Sequence, residues 1–198
     1  NACNLYNCSS IVRIPKNSRW IALQALDLGA KGIMIPNVQN KEYVNKLIKI
    51  IKYPPIGSRG YSPFTKAGRF NESDTEYQKK SNKNISIIII EDKIGLNNID
   101  EILEVESVDI VYFGAYDLSN SLGLSGDIKN PKFLEIIKKN VLKVLKSKKY
   151  AGGFVPKNID QVNMIRDIGI NFITYNIDSF LIYDSFKKVM DWFNSNKK

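Results

Sequence analysis

Two apolar segments of this chain each end in a carboxylate. ISIIII at 85–90 is followed by Glu91, and VDIVYFGAY at 108–116 is followed by Asp117. In a parallel α/β protein the carboxyl ends of neighbouring strands meet at one edge of the sheet, so we expect these side chains to lie close together. Two carboxylates directly after apolar residues need a cation or a proton to be stable there. The first hypothesis is therefore a metal site.

The elements that must carry these residues alternate along the chain, with short apolar segments separated by amphipathic ones. This alternation is typical of βαβ units and predicts a parallel sheet. The predicted strands are 11–14, 32–36, 85–91, 108–114, 152–155 and 172–176. The predicted helices are 18–28, 42–52, 98–103, 131–145, 160–168 and 179–193.

Six βα units fit two architectures. A closed eight-stranded (β/α)8 barrel takes ~250 residues, and 198 residues correspond to such a barrel without about its first two strands. An open doubly wound sheet fits the same alternation. Residues 53–84 interrupt the alternation and are rich in Gly, Pro and Ser at first, then polar. Such a long connection predicts a functional or mobile loop.

Composition limits the function classes. A composition of 43% hydrophobic and 25% charged residues is typical of one globular domain. No apolar run reaches the ~20 residues that span a bilayer. The net charge of +9 comes from lysines dispersed over the outer helix faces, without a nucleic-acid-binding motif. This favours a solvated basic surface over nucleic-acid binding.

The cysteines, the lack of histidine and the first residue of the chain also bear on its compartment and its boundaries. The two cysteines, Cys3 and Cys8, do not form a disulfide framework, and the expected compartment is the reducing cytoplasm. The chain contains no histidine and does not begin with Met. The second point suggests a fragment or a processed chain, and we expect one barrel domain that is incomplete at its N-terminus.

Seven short motifs follow one another in a fixed order. They are VRIP at 12–15, ALDLGA at 25–30, GIMIPNV at 32–38, YPPIGSRG at 53–60, IE at 90–91, NIDEI at 98–102 and FGAYDLS at 113–119. This series, which lies within residues 11–178, resembles the HpcH/HpaI aldolase family. That family comprises enzymes similar to 4-hydroxy-2-oxoheptanedioate aldolase in the phosphoenolpyruvate/pyruvate superfamily. The resemblance favours the (β/α)8 (TIM) barrel.

The resemblance implies a site residue by residue. A divalent ion, Mg²⁺, Mn²⁺ or Co²⁺, would be held by Glu91 and Asp117. Arg13 would contact the pyruvyl group, with a structural ion pair to Asp27 or Glu91 as its alternative. Asp27 would support the catalytic histidine of the family, although an Asp at that place also suits a hydrogen bond to a loop.

The resemblance also implies a reaction. The backbone before the metal-binding Asp, at Gly114, Ala115 and Tyr116, would bind the pyruvate carboxylate. The enzyme would be a homo-oligomer that cleaves a 4-hydroxy-2-oxo acid to pyruvate and an aldehyde, or condenses them. Its partners would be these small molecules, with neither nucleic acid nor membrane.

Departures from the family pattern keep two alternatives open. The family has Gln where this chain has Ile89, Arg where it has Lys66, Pro where it has Ala115, and a base in an Asp-Glu-His element that these residues lack. One alternative is a citrate or malyl lyase or synthase acting at the same site. The other is a degenerate family member without catalytic activity.

Overall fold

The computed structural model describes residues 2–71 and 82–196, and its centre is a parallel sheet. The strands are β1 (Ile11–Arg13), β2 (Gly32–Ile35), β3 (Ile85–Ile90), β4 (Ile110–Phe113) and β5 (Tyr150–Gly153). They pair in sequence order, β1-β2-β3-β4-β5, and every pair is parallel. The predicted alternation is therefore confirmed in these five units, because each parallel connection crosses over through helical residues.

The helices lie between and around the strands. They are α1 (Ala2–Leu5), α2 (Arg19–Asp27), α3 (Lys41–Ile51), α4 (Lys93–Asn97), α5 (Ile99–Leu103), α6 (Ala115–Ser121), α7 (Pro131–Lys146), α8 (Ile159–Asp167) and α9 (Asp178–Ser195). The sequence did not predict α1, α4 and α6. Of these, α6 matters for the site, because it places Asp117 in the first turn of a helix rather than at a strand end. Among the described residues, none of the helices combines the length and the apolar character that a membrane span requires.

The two faces of the sheet carry separate apolar clusters. The larger cluster packs the sheet against the helices, as Ile88, Ile90 and Phe113 do. The smaller cluster is centred on Ile87, Ile89, Ile110 and Tyr112 on the opposite face. Because side chains alternate along a strand, Arg13 shares the smaller cluster's face with Ile11, and Glu91 shares it with Ile87 and Ile89. In a barrel this is the interior face.

The predicted strand at 172–176 was wrong apart from one bridge, between Phe172 and Gly152. The N–H groups of Asn171 and Phe172 both donate to the Ala151 carbonyl, at 3.0 Å each, and the Asn171 side chain accepts from the Ala151 N–H at 2.9 Å. The bond from the Phe172 N–H to Ala151 belongs to this bridge, and the ladder does not continue through residues 173–176. The long loop predicted at 53–84 contains residues 72–81, which lie outside the described residues.

The amino edge of the sheet is held by two buried lysines. Lys149 donates to the carbonyls of Val105 at 2.8 Å and Val108 at 3.1 Å, and burial lowers the pKa of its ammonium. Lys52 donates to the carbonyls of Asn82 at 2.8 Å and Asn84 at 2.5 Å, with its pKa lowered in the same way. Each lysine thus satisfies backbone carbonyls where a strand begins.

We expect Lys149→Met to lower the free energy of unfolding by roughly 1–3 kcal/mol, because it leaves buried carbonyl groups without this donor. Urea unfolding of the full-length protein measures the loss. Lys138→Met, at an exposed position of α7, is the matched control and should change stability little. Equal losses in the two variants would contradict the role given to Lys149.

Candidate active site

Glu91 and Asp117 line the same cavity, of about 200 Å³, at the carboxyl edge of the sheet. Glu91 directly follows β3, and Asp117 lies in the first turn of α6, which begins two residues after β4. Gly114 lies between these elements, and a Cβ added to it would stand 2.8 Å from Glu91 Cβ and 3.2 Å from Glu91 Oε2. Since even a methyl group does not fit there, the chain needs glycine to bring the two carboxylates to one cavity.

The Glu91 carboxyl has a raised pKa. Burial is the largest cause, and the like charge of Asp117 adds to it. The Arg13 guanidinium and the backbone N–H of Asn37 act in the opposite direction, lowering the pKa. Asn37 holds that N–H in a left-handed conformation with φ of 53°, which asparagine tolerates better than most residues. Glu91 is therefore a carboxylate whose charge is only partly compensated by its surroundings.

Arg13 ends β1 and forms an ion pair with Glu91. Its Nη2 lies 3.8 Å from Glu91 Oε2, and its side chain is 61% exposed whereas that of Glu91 is 12% exposed. Of the two ion pairs that the sequence left open, the structure has the one with Glu91. Because Arg13 is largely exposed, its guanidinium remains accessible to a ligand in the cavity.

Gly114, Ala115 and Tyr116 also line this cavity. The Gly114 N–H donates to the Ile90 carbonyl at 3.0 Å and so continues the β3–β4 ladder. Helix α6 begins at Ala115, and the Gly114 carbonyl accepts from the Leu118 N–H at 2.9 Å. The first N–H groups of a helix have no partner within it. The amides of Ala115 and Tyr116 are therefore suited to an anionic group in the cavity.

Asp27 is not part of this group. It ends α2, close to where β2 begins, and therefore lies at the opposite edge of the sheet from Glu91. Its carboxylate accepts from Arg59 Nη2 at 2.6 Å, and its carbonyl accepts from the Ala67 N–H at 3.0 Å. The Arg59 side chain is 1% exposed and its Cζ lies 4.6 Å from the centre of the Tyr53 ring. The support of a catalytic base by Asp27 stays a prediction.

Sequence reasoning missed three residues that line the cavity, Tyr112, Phe154 and Val155. The Tyr112 hydroxyl donates to the Phe154 carbonyl at 2.9 Å, and burial raises the pKa of this phenol. The strand-end rule that identified Glu91 also applies to Phe154, which follows β5 directly. Its residue type indicates no chemistry, since the side chain is apolar. Ile89, 3% exposed, forms an apolar wall of the same cavity.

The donor set fits a hard divalent cation. The described residues contain no group of three or more His, Cys, Asp or Glu side chains that could hold a metal ion. Mg²⁺ and similar ions are commonly bound through one or two carboxylates, with water and substrate as the other ligands. Burial and the like charge of Asp117 raise the pKa of Glu91, so a cation beside these carboxylates would offset the cost of the Glu91 charge.

Comparison with known proteins identifies relatives of this chain. The family model described as HpcH/HpaI aldolase/citrate lyase matches residues 1–185. A 2-keto-3-deoxy-L-rhamnonate aldolase of Escherichia coli (strain K12) is 30% identical over 194 residues, covering 97% of this chain and 72% of that protein. A hydroxypyruvate/pyruvate aldolase of Roseobacter denitrificans is 32% identical over 180 residues, covering 90% of this chain and 70% of that protein.

Solved structures agree with this result. An HpcH/HpaI aldolase from Desulfitobacterium hafniense DCB-2 superposes with a TM-score of 0.91 at 27% identity, over 99% of this chain and 76% of that one. A citrate synthase superposes with a TM-score of 0.85 at 24% identity, over 98% of this chain and 75% of that one, and supports the fold alone. These matches confirm the predicted barrel class, of which the five-stranded sheet is a part.

We expect the metal-free Glu91→Gln variant to be more stable than the unchanged protein at neutral pH. The folded-state pKa of Glu91 lies above its unfolded value, so the folded protein loses stability as pH rises from the unfolded pKa through the folded one. A neutral amide removes this cost. Thermal unfolding between pH 4 and 8, with a chelator present, measures the difference, which should shrink toward low pH. A variant less stable at every pH would contradict the assigned cause.

Proposed function

We propose, from the premise that this chain belongs to the HpcH/HpaI aldolase/citrate lyase family, that it is a metal-dependent carbon–carbon lyase. The reaction is cleavage of a 4-hydroxy-2-oxo acid to pyruvate and an aldehyde, or the reverse condensation. The observation that carries the proposal is the meeting of Arg13, Glu91 and Asp117 at one cavity. Small oxo acids and aldehydes are the proposed partners, and nucleic acid and membrane are not.

Glu91 and Asp117 are the proposed ligands of the cation, which is Mg²⁺, Mn²⁺ or Co²⁺. When bound, such a cation supplies Lewis-acid stabilisation of the enolate that forms as the carbon–carbon bond breaks. Arg13 adds a fixed positive charge beside the same cavity, where negative charge develops. The amides of Ala115 and Tyr116 orient the pyruvate carboxylate through hydrogen bonds. Ile89 and Phe154 restrict water on the apolar side of the cavity.

These groups account for the pyruvate half of the reaction. Aldol cleavage also needs a base for the hydroxyl proton of the substrate, and none of the 198 residues is a histidine. Decarboxylation of oxaloacetate generates the same pyruvate enolate by loss of CO₂, without removal of that proton. It therefore tests enolate stabilisation separately from proton transfer.

We expect the full-length protein to bind Mn²⁺ and, in its presence, oxalate as a mimic of the enolate. Glu91→Gln and Asp117→Asn should each weaken Mn²⁺ binding at least about tenfold, by loss of one charged ligand. Arg13→Met should leave Mn²⁺ binding intact and lower kcat for oxaloacetate decarboxylation on the order of 100-fold. Isothermal titration and pyruvate release are the measurements.

Glu104→Gln, which removes an exposed carboxylate paired with Lys41, is the matched control and should change neither quantity. Equal Mn²⁺ affinity in Glu91→Gln and the unchanged protein would sink the metal assignment. Metal and oxalate binding together with citrate formation from oxaloacetate and an acyl donor, but without aldol turnover, would favour the citrate-type alternative. The absence of both binding and turnover would favour the alternative of a degenerate family member without catalytic activity.

A homo-oligomer in the cytoplasm is the proposed state. Helix α9 has no buried residue, although it carries large apolar side chains, among them Leu181, Phe186 and Met190 at 48%, 70% and 56% exposure. An amphipathic helix normally packs its apolar side chains against other protein, and a second copy of this chain is the proposed partner. The thiols of Cys3 and Cys8 are free, which suits a reducing compartment.

We expect the unchanged protein to sediment as a closed oligomer and Phe186→Asp combined with Met190→Asp to shift it toward the monomer, because the charges would be buried in the interface. Sedimentation velocity at several concentrations measures this. Lys187→Glu, a charge change on the same helix, is the control and should preserve the oligomer. A monomeric unchanged protein at every concentration would overturn the proposal.

A further inference from the structure

A second, larger cleft opens beside the carboxylate cavity. Its volume is about 600 Å³, within the range of small-molecule sites. Tyr116, Phe154 and Val155 line both spaces, so that the cleft and the cavity adjoin along these three residues. Tyr116 is 57% exposed at this boundary. A molecule held at Glu91 and Asp117 would reach the cleft by passing these three residues.

The wall of this cleft is mainly apolar. Leu134 of α7, Met164 and Ile165 of α8, and Phe154 contribute to it. Its charged lining residues are two lysines, Lys129 and Lys157, and two aspartates, Asp127 and Asp160. These four charges sum to zero, so the lining of the cleft carries no net charge that would select an anion or a cation. The apolar wall therefore decides what binds there, through the hydrophobic effect.

Phe154 and Lys157, which line the cleft, are each held by contacts with neighbouring residues. Phe154 packs edge-to-face on the buried Phe133 of α7, with ring centres 6.2 Å apart. At the start of α8, Gln161 Oε1 accepts from the Lys157 N–H at 2.8 Å. The Lys157 ammonium lies 3.8 Å from the centre of the Phe180 ring and forms a cation–π interaction with it. The space is therefore preformed, and filling it costs little ordering of the protein.

We infer that this enzyme acts on substrates whose aldehyde-derived part carries an apolar chain of several carbons, and that this chain lies in the cleft. The inference rests on the proposed lyase function. In the condensation, C3 of pyruvate loses a proton and bonds to the aldehyde carbon, and the aldehyde oxygen takes up a proton. No further reactant is needed. The carboxylate cavity holds the pyruvate part, and the cleft holds the chain.

The test compares hexanal with acetaldehyde as the partner of pyruvate, using the full-length protein and Mn²⁺. Each buried methylene group contributes roughly fourfold, so kcat/KM for hexanal should exceed that for acetaldehyde at least about tenfold. Met164→Trp fills the cleft and should lower kcat/KM for hexanal to about that for acetaldehyde. Asn163→Trp, at the neighbouring exposed position of α8, is the matched control and should keep the preference for hexanal.

A binding measurement separates this inference from the lyase proposal. Titration of 2-oxooctanoate and of pyruvate should show at least about tenfold tighter binding of the longer acid, lost in Met164→Trp and kept in Asn163→Trp. Equal binding of the two acids, with Mn²⁺-dependent pyruvate binding intact, would overturn the cleft inference alone. Binding of 2-oxooctanoate that depends on Met164 but not on Mn²⁺ would also overturn the inference, because the acid would then occupy the cleft without engaging the site at Glu91 and Asp117. No binding of 2-oxooctanoate would overturn the cleft inference.

Discussion

The contact of the β3 end with the β4 end is the constraint on which the rest of the site depends. The Gly114 N–H donates to the Ile90 carbonyl, which sets Glu91 beside a glycine with no room for a Cβ. A shift of one residue in this register would turn Glu91 to the helix-covered face of the sheet. The carboxylate would then be buried in the larger apolar cluster without Arg13 or Asp117 nearby. Ile87, Ile89 and Glu91 lie on one face of the sheet. The register of β3 therefore determines which charged groups surround Glu91.

The two edges of the sheet use charge for different purposes. At the amino edge, Lys52 and Lys149 are buried and donate to backbone carbonyls, and Arg59 is buried against Asp27. Here charged groups complete hydrogen bonding, which serves stability. At the carboxyl edge, Arg13 is largely exposed and stands 3.8 Å from Glu91, while burial and Asp117 keep the Glu91 pKa raised. Incomplete compensation is costly for folding but favours a bound cation, as is usual for the functional edge of parallel sheets.

Much of this arrangement could be predicted from the sequence, because it follows from local pattern. The apolar runs before Glu91 and Asp117 predicted β3 and β4, and parallel connection then implied that the two acids meet. The helix that carries Asp117 was not predicted, because residues 108–116 were interpreted as one apolar segment that ends in Asp117. The strand predicted at 172–176 was wrong because pairing with β5 stops after the bridge between Phe172 and Gly152, which a local apolar pattern cannot show. The sequence could not decide between Asp27 and Glu91 as the ion-pair partner of Arg13, because that depends on distances in the folded protein.

The cleft beside Tyr116 illustrates a second limit of sequence reasoning. Leu134, Phe154 and Met164 are ordinary apolar residues of a core, and no spacing distinguishes a wall of packed side chains from a wall that faces open space. The distinction arises from the space between α7, α8 and the residues that follow β5, which Leu134, Phe154 and Met164 border but do not fill. The polar residues that fix chemistry are therefore visible in a sequence, because their types are costly to bury without a partner. The apolar residues that select a substrate become visible only when the volume between elements is known.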